Sequence, residues 1–132
     1  MGAAENAAIA RAEMDAVQRG DLEGLLDLYA DDVVLEYPGR NVLSGTYTGK
    51  DGVRGWFKLI SDTMGPGATV TRTLRDVVAS DSHAIQLVSV EATRAGKSAQ
   101  WNSAIALFIR DGKIKVIRIL IDDPYAVDEF LA

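Results

Sequence analysis

Glu13 is the residue most out of keeping with its neighbours. It falls on the apolar stripe that Ile9, Ala12, Ala16 and Val17 trace between Asn6 and Arg19, the periodicity of a helix with one buried face. Burial would disfavour its carboxylate and raise its pKa, which suits a general acid or base near neutral pH. The plainer alternative is a stripe-edge glutamate that reaches solvent or pairs with an arginine. Tyr37 alternates with Val33 and Leu35, so its phenol points inward from a strand. There it either donates to a substrate oxygen or forms a wall bonded to backbone. Glu13 and Tyr37 are the candidate catalytic residues.

Other chemistries lack their parts. The 132 residues include no cysteine and one histidine, His83, which removes thiolate nucleophiles, Cys-based metal sites and multi-histidine cages. Asp31-Asp32 and Asp122-Asp123 resemble metal pairs, but they read as helix-end and capping residues, because a metal needs three or more converging ligands. Gly45 to Asp51 mimics a phosphate loop one residue short, without its terminal Ser/Thr. Ser82 and His83, as strand neighbours, are expected on opposite faces with His83 outward. A net charge of −5 argues against nucleic acid. No apolar run approaches the ~20 residues of a membrane helix, and Met1 to Ala16 lacks the basic segment of a secretory signal. The expectation is a soluble, cytoplasmic protein, with no cofactor, metal or membrane partner.

The elements that must position these residues divide into helices first and strands afterwards. Helices are expected at about 6–19, stopped by Gly20, at 22–30, capped by Asp21, and from Thr48 to the Gly65-Pro66-Gly67 stop. Thr48 and Asp51 form a capping box for the third, whose stripe is Val53, Trp56, Phe57, Ile60 and Met64. A short strand at 33–37 ends at Pro38-Gly39. Four long strands follow at about 68–79, 83–94, 97–110 and 113–122, the last two joined by the hairpin dipeptide Asp111-Gly112. Asp123 and Pro124 open a closing helix at 124–131. Strands this long suit a strongly curved sheet, and the pattern is α+β in one domain, 1–132, with helices gathered on one sheet face over a pocket. On the strand at 97–110, Gln100, Asn102, Ala104, Ala106 and Phe108 share one face, and Trp101, Ser103, Ile105, Leu107 and Ile109 the other. Both are largely apolar, so one lines a pocket and one is buried at a dimer interface.

Four motifs in order, Gly20-Asp21-Leu22-Glu23, Tyr29-Ala30-Asp31-Asp32-Val33, Gly49 to Phe57 and Asp111-Gly112-Lys113-Ile114, make the chain resemble the nuclear transport factor 2-like superfamily from Glu13 to Asp123. Its members include ketosteroid isomerases, SnoaL-type polyketide cyclases, limonene epoxide hydrolases and scytalone dehydratase. The resemblance implies a cone-shaped barrel of a curved, mostly antiparallel sheet, three N-terminal helices around a deep apolar pocket, and a homodimer through the outer sheet face. It also implies that the catalytic carboxylates of known members are displaced. The isomerase's base falls on Tyr37, its tyrosine on Glu13 and its protonated carboxylate near Ala104, while the epoxide hydrolase's aspartate lands near Ile119.

By the same resemblance the Asn102 face of its strand is the inner one. Asn102 would then orient a polar group of the substrate, unless it ties a strand end, and Ala104 and Ala106 would leave room for a ligand. Gln86 would share that wall, with Trp56, Phe108 and Ile119 supplying apolar surface; Trp56 reads more readily as core than as a ligand platform. Two functions fit. One is a cofactor-free enzyme performing isomerisation, cyclisation or dehydration on a small apolar ketone, polyketide or terpenoid. The other is a non-catalytic dimeric module binding such a molecule.

Overall fold

A computed structural model describes residues 2–132. In chain order the elements are α1 (Ala3–Arg19), α2 (Leu22–Asp27), β1 (Tyr29–Tyr37), β2 (Gly45–Thr48), α3 (Gly49–Met64), β3 (Thr69–Ala79), β4 (His83–Arg94), β5 (Lys97–Arg110), β6 (Lys113–Ile121) and α4 (Pro124–Leu131). The strands form one curved sheet in the order β2-β1-β6-β5-β4-β3. All pairs are antiparallel except β1 with β6. The sheet has two edges, β2 and β3, so the expected barrel does not close.

Local chemistry accounts for most boundaries. Glu5 accepts the Gly2 N–H at 3.0 Å, and α1 starts before the expected residue 6. Gly20, at φ 68°, turns the chain out of α1, a left-handed conformation that favours glycine. The side chains of Asp21 and Asp123 accept the Gly24 and Ala126 amides, 3.1 Å each, as N-caps of α2 and α4. Asp111 and Gly112 take positive φ, 53° and 75°, as a tight right-twisting hairpin requires.

Three boundaries depart from expectation because tertiary pairing outweighs local preference. The second helix stops at Asp27 rather than 30, since Ile114 N–H donates to the Leu28 carbonyl at 3.0 Å and Tyr29 pairs with Ile114 of β6. Residues 45–48, expected as loop, pair as β2 with β1. Thr48 makes no side-chain cap on α3, because it is the last residue of β2, paired with Val34. Ser82 lies in a turn rather than on a strand, so its Oγ does reach His83 Nδ1, at 2.8 Å.

The inner face of the sheet carries the core. α1 packs on β3 and β4, α3 on β1, and α4 on β5. Val33 and Leu35 of β1, Leu107 of β5 and Ile114 and Ile117 of β6 are buried there with Val53 and Trp56 of α3. Among the described residues no helix is long and apolar enough to cross a membrane.

Candidate functional site

Between the helices and the inner sheet face lies an apolar cavity of about 100 Å³, several times what one buried water needs. Met14 and Val17 of α1, Phe57 and Ile60 of α3, and Ile105 and Ile119 of the sheet form much of its wall. Its polar groups are few: Glu13, Tyr29, Tyr37, Arg72 and Ser103.

Glu13 is 4% exposed. Tyr29 Oη donates to its Oε2 at 2.7 Å, and Gln86 Nε2 donates to its Oε1 at 2.8 Å. The second hydrogen of that amide goes to the Ala10 carbonyl, one turn back along α1, also at 2.8 Å. Gln86 therefore holds Glu13 from behind. Its own Oε1 is buried and accepts nothing. Burial raises the Glu13 pKa above its ordinary value, and the two hydrogen bonds and the Arg72 charge offset this only in part. Burial and the adjacent carboxyl push Tyr29 far up, so Tyr29 remains a donor. Each carboxylate oxygen keeps a lone pair beyond those used here.

Tyr37 sits on the cavity wall against Trp56, with ring centroids 5.4 Å apart. Trp56 is fixed in turn by its indole N–H, which donates to the Leu43 carbonyl at 3.2 Å. Burial pushes the Tyr37 phenol up to about 12, opposed by the Arg72 charge. Among the described residues its hydroxyl has no hydrogen-bond partner.

The structure brings Glu13, Tyr37, Trp56 and Ile119 to the cavity and Gln86 immediately behind Glu13. It does not bring Asn102, Ala104 or Phe108 there. The β4–β5 register pairs Gln86 with Ile105 and Ser89 with Asn102, and directly opposed residues share a face. Since Gln86 points to α1, Trp101, Ser103, Ile105 and Leu107 face inward, and Asn102, Ala104 and Phe108 lie on the outer face. Asn102 ties the end of β6, with its N–H and Nδ2 each 3.0 Å from the Asp122 carboxylate. Phe108 packs on His83 at 5.1 Å between ring centroids. The aspartate pairs are also occupied: Asp32 binds Lys115 at 2.7 Å and Asp31 lies 3.5 Å from Lys50.

Arg72 and Tyr29 were not among the candidates. Arg72 keeps phase with Val70 and Leu74 while Thr69, Thr71 and Thr73 face out, so the test that singles out Glu13, a charge in step with apolar positions, also finds it. Tyr29 falls within the helix expected at 22–30, and only the β1–β6 pairing turns its hydroxyl onto Glu13.

A model of the SnoaL-like domain matches residues 10–117. An uncharacterized protein of Mycobacterium tuberculosis, Rv0034, is 32% identical over 126 residues, 94% of each chain. The structure of Bal32a, from a soil-derived mobile gene cassette, superposes with a TM-score of 0.91 at 27% identity, covering 98% of both chains. An NTF2-like protein from Burkholderia xenovorans gives 0.83 at 23% identity, covering 100% of this chain and 99% of its own.

Proposed function

The chain belongs to the SnoaL-like domain family, within the NTF2-like superfamily, and we propose that it is a cofactor-free enzyme moving a proton on a small apolar carbonyl compound, ketone, polyketide-like or terpenoid. One observation carries this reading: a buried carboxyl with a raised pKa stands on the wall of an otherwise apolar cavity. Glu13 as carboxylate takes a proton from the carbon beside the carbonyl, and the electron pair moves to the carbonyl oxygen. Tyr37, still protonated, donates to that oxygen. Glu13 then returns the proton to carbon, so atoms and charge balance. A raised carboxyl pKa brings the base nearer in strength to the carbon acid it must deprotonate. Tyr29 and Gln86 keep the carboxyl in one orientation throughout.

The test is hydrogen–deuterium exchange at the carbon beside the carbonyl, followed by NMR over a panel of apolar ketones and polyketide mimics. Glu13→Gln is expected to slow exchange by about 100-fold or more. Binding without exchange in the wild type replaces the enzyme by a binding module. That second reading has its own support, since both Glu13 oxygens are already occupied by internal donors.

The same proposal includes a homodimer through the outer sheet face. Val78 of β3 and Leu120 of β6 are 55% and 52% exposed there, flanking Ile85, Leu87, Ala104 and Ala106. Light scattering is expected to give twice 14.2 kDa; the monomer mass refutes it.

A further inference from the structure

On the cavity wall stands a cation without a hydrogen-bond or ion-pair partner among the described residues. Arg72 lies on the inner face of β3, opposite Val90 of β4, and its side chain lines the cavity beside Glu13 and Tyr37. Among the described residues it forms no ion pair and donates no side-chain hydrogen bond. The ion pairs of this protein lie elsewhere, at the surface. Glu13 acts on it by charge across the cavity but forms no ion pair or hydrogen bond with it.

An arginine stays charged in a protein and presents five N–H donors. Leaving such a group partly buried without acceptors is costly, unless a ligand supplies them. Two hydroxyls on the same cavity, of Tyr37 and Ser103, also lack partners among the described residues. Three donors, one of them charged, thus border the cavity without a hydrogen bond to another described residue.

We propose that the ligand of this cavity is an apolar organic acid bound as its anion, its carboxylate held by the Arg72 guanidinium with the Tyr37 hydroxyl beside it. The planar guanidinium matches a carboxylate in two parallel hydrogen bonds. A single guanidinium balances one negative charge, and the apolar wall disfavours a multiply charged anion such as a phosphate ester. The inference rests on the cavity's being the substrate site, and it adds that the carbonyl substrate carries an ionised acid group and that Arg72 sets this specificity.

The experiment compares acids with their shape-matched neutral amides, benzoate with benzamide and naphthoate with naphthamide. Binding is read by calorimetry and by the fluorescence of Trp56 and Trp101, both on the cavity wall. The wild type is expected to bind the acid about 10-fold or more tightly than the amide. Arg72→Gln should bring that ratio near one, with an unchanged circular-dichroism spectrum showing that the variant is folded. Arg72→Lys should restore part of the preference. Equal binding of acid and amide by the wild type, or a preference that survives Arg72→Gln, overturns the inference and leaves the cavity as a ligand site. Failure of every probe to bind overturns both.

Discussion

Tyr29→Phe isolates one hydrogen bond and leaves the rest of the site in place. The ring stays packed, since Tyr29 is 1% exposed in the core, and only the hydroxyl that donates to Glu13 Oε2 at 2.7 Å is lost. A buried bond to a charged acceptor is worth about 1.5–3 kcal/mol, and this loss falls mainly on the carboxylate form. Glu13 should therefore bind its proton roughly 10- to 150-fold more tightly in the variant. A carboxyl-carbon NMR titration, with Glu13→Gln to assign the resonance, reads this directly as an upward shift of the midpoint. Stability follows the same linkage. Because the folded pKa of Glu13 lies above its ordinary 4.5, the folded state holds the proton longer than the unfolded chain. Stability is then full below that value and declines as pH rises through the folded pKa. Tyr29→Phe should extend the decline to higher pH, so the deficit against wild type in denaturant unfolding is smallest near about pH 4 and grows by about 1.5–3 kcal/mol above the folded pKa. A midpoint that stays put or falls, or a deficit independent of pH, refutes the argument that Tyr29 supports the ionised carboxyl.

Asn102→Ala should leave ligand affinity and proton exchange unchanged within about twofold, since the side chain lies outside the cavity; it should lower stability only slightly through loss of its exposed bond to Asp122. A large change in affinity would place the residue on the wrong face. Trp56→Phe removes one of the two donors to the Leu43 carbonyl and leaves the Tyr47 hydroxyl at 3.0 Å in place, so it should cost about 1 kcal/mol in urea unfolding. Gly20→Ala meets open space at φ 68°, so the backbone alone should cost about 1 kcal/mol or somewhat more; no loss of melting temperature would mean the turn tolerates a side chain. Ala104→Glu, at the centre of the outer apolar patch, should shift the mass by light scattering toward that of one chain.

Much of the architecture is legible in the chain because its causes are local. The helical stripe of α1, the stop at Gly20, the caps at Asp21 and Asp123, and the Asp111-Gly112 turn each depend on residues a few positions apart. The four long strands follow from alternation interrupted by turn residues. Glu13 and Arg72 are legible in the same manner, as charges in step with apolar positions, although Arg72 needs that criterion applied along β3. The second helix shows the limit, since its stripe continues past Asp27 until β6 captures the Leu28 carbonyl.

Periodicity along the chain shows which residues share a face of each element, and that an ionisable group lies on the apolar side of α1. Which face is inner, and who meets whom across the chain, follows only from folding. On β5 both faces are apolar, so alternation leaves two solutions differing by one residue. The pairing of Gln86 with Ile105 selects one and turns Asn102, Ala104 and Phe108 outward. The meeting of Glu13 with Gln86 joins residues 73 positions apart, and that of Glu13 with Tyr29 requires a parallel pairing between the first strand and the last. Hydrogen bonds and desolvation act over a few ångströms in space, whereas sequence periodicity reports only neighbours along the chain, so the charge state of Glu13 and the unmatched donors of Arg72 exist only once the sheet and helices have closed over them.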